Sequence, residues 1–354
     1  MPEQNDPTLP ANISMRDLAQ IAGVSAMTVS RALRNSPKIS EKTRQRIRQL
    51  AQEHNYSINP LVAAQMASIH GRRSVTYKAT LGLITRTPTE GVWGGAAKVI
   101  EGVRKRCKEM GFTCDTFDLA DPELTPSRLN RMLETRGIHG LIEAPMVADL
   151  ADYELDSDRL ILVSSNPGTL PQTIHRVCPD HYGNMDMLLR RIQQAGFKRP
   201  GFLVTLELDR RLNHLWTSRY LAFQQTEGFA KIAPYMPNNI TEFDRSSFTK
   251  WLEANQPDIL IVSNHELFRD KFFDQVGIEI PNDIEVLKIN INGPEYGFSG
   301  IDQRSEQVGA GCVKLLSQLM YQNEYGPPEN PVSVVVPGKW IQGHTSPTLQ
   351  QAAQ

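Results

Sequence analysis

The sequence predicts a small all-α helix-turn-helix head joined to a larger α/β core with parallel sheets in two lobes. Three observations carry that reading. The stretch LAQIAGVSAMTVSRAL, residues 18–33, repeats apolar residues at helical spacing on both sides of a glycine. From Thr80 onward, short apolar runs alternate with amphipathic stretches, as in a parallel sheet covered by helices. That alternation starts again near Arg176, so the core has two similar halves.

Residues 1–11 have the composition of a disordered tail, and the first helix is expected near Ser14, with Asp17 three residues on. Leu18, Ala19 and Ala22 share one face, Gly23 permits a reversal, and Ser25 caps a second helix from Ala26 in which Val29, Ala32 and Leu33 resume the stripe. This leaves Ala26, Met27, Thr28, Ser30 and Arg31 on the outer side, residue types suited to a groove of DNA. Two packed helices of an ordinary domain are the bland alternative. Ser40 and Glu41 begin a third helix running to about Asn55, where Ile47, Leu50 and Ala51 close the small core. Its Lys42, Arg44, Arg46 and Arg48 add a basic face that positions phosphates. Charge supports this placement: residues 1–78 carry 11 Lys/Arg against 5 Asp/Glu, and residues 79–354 carry 27 against 34. A net +6 at one end and −7 over the remainder make the head the polyanion-binding end.

In the core, strands are expected over 80–84, 112–119, 140–145 and 159–165, with helices over 96–110 and 127–136 between them. The second half offers strands at 201–206, 258–263 and 285–290, with helices over 181–195 (capped by Asp180), 215–227, 246–254 and 266–276. A long helix, 305–322, returns the chain to the first half, and VSVVVPGKW, 332–340, ends in the second.

The four cysteines, Cys107, Cys114, Cys178 and Cys312, form no disulfide framework and point to a reducing compartment. His175, Cys178 and His181 lack a clear fourth ligand, so the structural reading outranks a metal site, and none is expected. With neither an export signal nor an apolar run of membrane-spanning length, a soluble cytoplasmic protein with no membrane partner is expected. Dinucleotide, P-loop, serine-hydrolase and zinc-protease motifs are missing from the sequence, so no enzymatic activity, catalytic residue or cofactor is expected.

The run DLAQIAGVSAMTVSRALRNSPKISEKTRQRI resembles the N-terminal pattern of the lactose-repressor family (LacI/GalR type) almost position by position, and the likeness extends from about Ile13 to Thr345. The resemblance implies that Ala26, Met27 and Arg31 face base edges and that Ser25, Thr28 and Ser30 approach phosphates. It also implies that YSINPLVAAQM, 56–66, is a hinge whose short helix forms when two copies meet on an operator, adding Asn59 to the DNA-binding set. The family's minor-groove leucine is replaced here by Gln65, followed by Met66, and either residue could enter the groove.

By the same resemblance the core is similar to the periplasmic-binding-protein type I fold, whose two lobes close on a small molecule at the carboxyl ends of their strands. The implied division is a tail (1–11), head (12–57), hinge helix and linker (58–78), core (79–346) and tail (347–354). Lobe 1 spans about 79–177 and 303–330, and lobe 2 about 178–302 and 331–346. The expected effector-binding residues are Arg86, Thr87, Arg210, Arg211, Trp216, His265 and Asn290, with Arg210 or Arg211 for an anionic group. Two departures from the family stand out: Lys288, Ile289 and Asn290 replace its Gly-Phe-Asp, and Trp216 stands where it has an arginine. The expected function is a homodimeric transcription regulator, repressing more readily than activating, on a pseudo-palindromic operator. A small-molecule effector, a sugar or related metabolite, modulates it. The alternative is an effector-independent regulator that keeps the core only for dimerisation. A sugar-binding transport receptor shares the core but would lack the head.

Overall fold

The computed structural model describes residues 15–33, 39–54, 56, 79–86, 94–145, 155–167, 174–263, 272–291 and 297–351. The chain divides into two compact units, Met1–Val75 and Thr76–Gln354.

In the first unit, α1 (Met15–Ile21), α2 (Ala26–Leu33) and α3 (Glu41–Glu53) pack around Leu18, Val29, Ala32 and Ile47, all fully buried. Gly23 takes φ +61°, the left-handed conformation the reversal requires. The turn is closed by Val24 N–H donating to Ala19 O (3.0 Å), and α2 starts where Ser25 Oγ accepts from Thr28 N (3.2 Å). Ser40 Oγ caps α3 in the same way, accepting from Thr43 N at 3.3 Å.

Among the described residues, the second unit holds two sheets. In the first, β10 (Ser333–Val336), β5 (His175–Pro179), β4 (Ile161–Ser164), β3 (Gly140–Glu143), β1 (Thr80–Thr85) and β2 (Thr113–Asp118) lie side by side in that order, all parallel. In the second the order is β11 (Lys339–Ile341), β9 (Ser299–Asp302), β8 (Glu285–Ile291), β7 (Ile259–Val262) and β6 (Pro200–Leu203), with only β11 antiparallel to its neighbour. The helices between strands are α4 (Gly94–Met110), α5 (Pro126–Thr135), α6 (His181–Gln194), α7 (Leu206–Arg211), α8 (Leu215–Thr226), α9 (Arg245–Asn255) and α10 (Phe272–Gln275). Then come α11 (Ser305–Gln322) and α12 (Pro347–Gln351).

The chain passes between lobes after β5, after β9 and between β10 and β11. The last passage corrects the expectation that 331–346 belongs wholly to the second lobe. Val332–Val336 completes the first sheet: Arg176 N donates to Val332 O and Asp180 N to Val336 O, both at 2.9 Å, and the chain crosses at Pro337–Gly338. Gly338 N–H donates to Asn184 Oδ1 (2.8 Å), and a Cβ on it would stand 2.6 Å from that oxygen, so the crossing is tight.

Helix α11 returns to the first lobe as expected and crosses α4 at backbone contact. A Cβ on Gly309 would lie 2.0 Å from Val99 O, and one on Gly102 2.0 Å from Glu306 O. The second lobe is aromatic: Phe202, Trp216, Tyr220 and Phe223 fill one face of its sheet, and Phe248, Phe272 and Phe273 the other. His175, Cys178 and His181 do not converge, and among the described residues no metal-binding group of His, Cys, Asp and Glu occurs. His175 Nδ1 instead accepts from Val332 N at 3.1 Å. Among the described residues no helix is long and apolar enough to cross a membrane.

Candidate nucleic-acid interface and ligand cleft

On α2, Met27 is 63 % exposed and Arg31 is exposed, an apolar and a cationic side chain one turn apart on the same face. Ser25 and Thr28 flank them, their hydroxyls 2.9 Å apart. Two residues expected on this face turn inward. Ser30 is buried because it falls beside Val29 on the core side of the helix, and Ala26 is partly buried against the head core. The basic face of α3 is also divided. Arg46 Nη2 donates to Ala22 O (2.7 Å), closing off the end of α1, and Arg44 pairs with Glu41, which leaves Lys42 and Arg48 as its phosphate-facing candidates.

In the core, a cavity of about 40 Å³ opens at the carboxyl ends of the first sheet's strands and reaches the second lobe. Its polar wall is Ser165 and Asn166 after β4, His181 after β5, Gln303 and Ser305 after β9, and Arg211 from α7. Val99, Leu212, Val308 and three prolines form the apolar wall.

A buried polar cluster holds the loop after β4. Ser165 donates twice to Glu143 O, through N at 3.0 Å and Oγ at 2.8 Å. Asn166 N donates to Ser164 Oγ at 3.0 Å, and Arg176 Nη1 to Pro167 O at 2.8 Å. Burial raises the Glu143 carboxyl above the usual range, although hydrogen bonds from Ser164 and Asn166 and the charge of Arg176 pull the other way. His181 opens α6 behind the Asp180 cap, its ring edge-on to Trp216 at 5.4 Å. Burial, with the nearby Arg211 charge, pushes its pKa down to about 3, so the imidazole is neutral, and its buried Nδ1 has no hydrogen-bond partner among the described residues.

Arg211 ends α7, and burial lowers its pKa from the ordinary guanidinium value. The next turn is strained: Asn213 and His214 take φ +51° and +58° in succession. Asp209, itself buried, holds that turn by accepting from Thr217 Oγ1 and pairing with His214 Nδ1, each at 2.6 Å. The strain thus fixes the direction in which α7 presents Arg211 and Leu212 to the cavity.

Residues 14–59 match the family described as bacterial regulatory proteins, lacI family. The regulator MalR of Staphylococcus xylosus is 23 % identical over 78 % of this chain and 81 % of its own length. The repressor PurR of Vibrio parahaemolyticus is 21 % identical over 88 % and 93 %. The family match covers the helix-turn-helix head alone. Both relatives are HTH-type transcriptional regulators, and the family match falls on the three-helix head of this chain. Its fold is shared with a Lac repressor dimer bound to operator and the anti-inducer ONPF (TM-score 0.56, 18 % identity, 95 % of this chain and 99 % of that one). It is shared equally with a complex of the regulator CelR with cellobiose (TM-score 0.56, 18 % identity, 94 % and 100 %).

Of the seven effector residues expected from the sequence, the cavity brings in Arg211. Arg210 is exposed on the neighbouring position of α7, and Arg86 is exposed after β1. Asn290 is buried on β8 and does not line the cavity. Trp216 is 1 % exposed in the core of the second lobe and does not line the cavity, although its ring packs edge-on against His181, which does. Thr87 and His265 lie outside the described residues, as do Asn59, Gln65 and Met66 of the DNA-binding set. The cavity residues that sequence reasoning missed, Ser165, Asn166, His181, Gln303 and Ser305, all sit just past strand ends. The strand-end rule would have found Ser165 and Asn166, since the apolar run of β4 is plain in the sequence.

Proposed function

We propose that this regulator is a cytoplasmic repressor that binds a pseudo-palindromic operator as a homodimer and responds to a small-molecule effector, a sugar or related metabolite, in the cleft between its lobes. The observation that carries the reading is one chain combining an α2 face with exposed Met27 and Arg31 and a cavity whose polar wall is drawn from both lobes. Arg31 and Met27 would meet base edges, and Ser25 and Thr28 phosphates, with Ala26 and Ser30 setting how closely α2 approaches. Asn59 and either Gln65 or Met66 would complete the contact from the hinge. One structural relative bound to operator and another bound to cellobiose support the partner classes. Arg211, rather than Arg210, is the residue for an anionic or hydroxyl-rich group.

At about 40 Å³ the cavity is too small for a sugar-sized metabolite, so such a ligand enters when the lobes part, and its preference for one lobe spacing is what biases DNA binding. The same small volume favours a second reading, a regulator without an effector whose core serves dimerisation. The test is to map the DNA fragments bound by the full chain and then titrate one of them. Affinity should fall steeply with salt and vanish on deletion of residues 1–66. A metabolite that raises the melting temperature should also change operator affinity, and Arg211→Ala should remove both effects while Arg210→Ala keeps them. Operator binding with no metabolite response supports the second reading, and operator binding by the headless core sinks both.

A further inference from the structure

Among the described residues no carboxylate lines the cavity between the lobes. Its charged member is Arg211, and the rest of its polar wall is Ser165, Asn166, His181, Gln303 and Ser305. The neighbouring acids are turned elsewhere. Asp180 Oδ1 accepts from Gly183 N (2.8 Å) as the cap of α6, and Asp209 is held by Thr217 Oγ1 and His214 Nδ1, each at 2.6 Å. Glu143 is buried under the loop that carries Ser165, where Ser164 and Asn166 hydrogen-bond to its carboxyl. Glu207, one turn before Arg211 on α7, is exposed, so water screens its charge. The described wall thus carries one positive charge and no negative one, and an anion is the ligand group that matches it.

The same wall limits that anion to a single charge. His181 is buried and neutral, so it offers the ligand a ring nitrogen without adding a second cation, and its Nδ1 has no partner among the described residues. A carboxylate balances one guanidinium. A phosphate ester, at about −1.5 to −2 near pH 7, would leave excess negative charge out of water. The remainder of the wall suits hydroxyl groups. Ser165 Oγ donates to Glu143 O (2.8 Å) and Gln303 Nε2 to Ile289 O (3.2 Å). With those protons committed, Ser165 Oγ and Gln303 Oε1 meet a ligand as acceptors, which take O–H groups and repel a second carboxylate. Arg211 belongs to the second lobe and Ser165 to the first, so a molecule with its acid at one end and hydroxyls at the other touches both.

We propose that the ligand of this cleft is a hydroxylated monocarboxylic acid, such as a sugar acid, whose carboxylate is bound by Arg211 and His181 and whose hydroxyls are bound by Ser165 and Gln303. This assignment rests on the cleft being an effector site, and it ranks the acid above the neutral sugar of the same skeleton.

The test measures melting-temperature shifts, then calorimetric affinities, of the full-length chain with matched pairs. Gluconate is set against glucitol and gluconamide, glucuronate against glucose, galacturonate against galactose, and glycerate against glycerol, with glucose 6-phosphate as the dianion. The expected result is that an acid raises the melting temperature and binds at least about tenfold tighter than its neutral partner, the worth of one charge-assisted hydrogen bond. Arg211→Gln should bring that ratio close to one, and Arg210→Gln should keep it. The ratio in the native chain needs no variant, so the ligand class is decided even where Arg211→Gln folds poorly. Neutral members binding as tightly as the acids, or the phosphate ester binding tightest, overturn the acid assignment and leave the effector site standing. An acid preference that survives in a folded Arg211→Gln protein places the carboxylate elsewhere and overturns it as well. If no member of either kind shifts the melting temperature, the acid assignment and the effector site fall together.

Discussion

Acidification should destabilise this protein through His181, and the size of the effect comes from its burial. An ordinary histidine takes a proton near pH 6.5, whereas His181 in the folded chain holds out to about 3. A depressed folded-state pKa means that stability is full above 6.5 and falls as the unfolded chain accepts a proton that the native state refuses. The loss is about 1.4 kcal/mol per pH unit in that window, so lowering the pH from 6.5 to 5 costs about 2 kcal/mol from this one side chain. His175, also depressed by burial, adds in the same direction, and Glu143, whose carboxyl is raised, acts oppositely. Both backgrounds cancel when the native protein is compared with His181→Gln. Urea unfolding followed by tryptophan fluorescence reads the right region, since Trp216 packs on the His181 ring. Between pH 6 and 5 the native protein should lose about 1.4 kcal/mol more than the variant. Parallel stability lines would refute the assignment of His181 as a neutral, buried group.

Three further outcomes rest on close contacts and on the head. Gly309→Ala places a Cβ 2.0 Å from the Val99 carbonyl oxygen, so overpacking of about 3 kcal/mol should outweigh a gain of about 1 kcal/mol in helix propensity. A melting temperature equal to the native one would show that α4 and α11 can separate freely. Arg31→Ala should cost about 1–3 kcal/mol in operator binding and relax sequence preference at one position per half-site, measured by competition among mutated operators. Uniform weakening would make it a phosphate contact. In the hinge, Met66→Ala should reduce operator affinity and bending while Gln65→Leu preserves both, because burying an amide between bases costs desolvation. The reverse pattern in a gel-shift and bending assay would give the groove to Gln65.

The fold was largely legible where periodicity was long and uninterrupted. Helices α2, α3 and α6 began where expected because Ser25, Ser40 and Asp180 each accept from the backbone N–H three residues ahead. Strand β5 was not legible, since HRVCP carries a histidine and an arginine where a buried strand ordinarily has aliphatics. Those side chains are tolerated because His175 Nδ1 takes the Val332 N–H and Arg176 reaches the Pro167 carbonyl, partners more than one element away that local pattern cannot supply. The lobe assignment of Val332–Val336 failed for a related reason. An apolar run reads as a strand without saying which sheet will pair with it, and the tight crossing at Gly338 depends on Asn184 in a distant helix.

The site was less legible than the fold because it is built from residues just past strand ends rather than from any contiguous motif. Once β5 was missed, His181 read as a possible metal ligand instead of a strand-end residue, and Gln303 and Ser305 were hidden behind β9, a four-residue strand containing a glycine. Arg210 and Arg211 were indistinguishable in sequence. They separate only because α7 is a single short helix capped by Thr205 and ended by the Asn213–His214 turn, which sends Arg211 inward and Arg210 to solvent. Two consecutive non-glycine residues at positive φ cost of order 1–3 kcal/mol each, and the buried Asp209 offsets that cost through its bonds to Thr217 and His214. A fold retains such strain where the position of a nearby side chain matters. The turn therefore supports, independently of the cavity itself, the proposal that Arg211 is the ligand-facing residue of this wall.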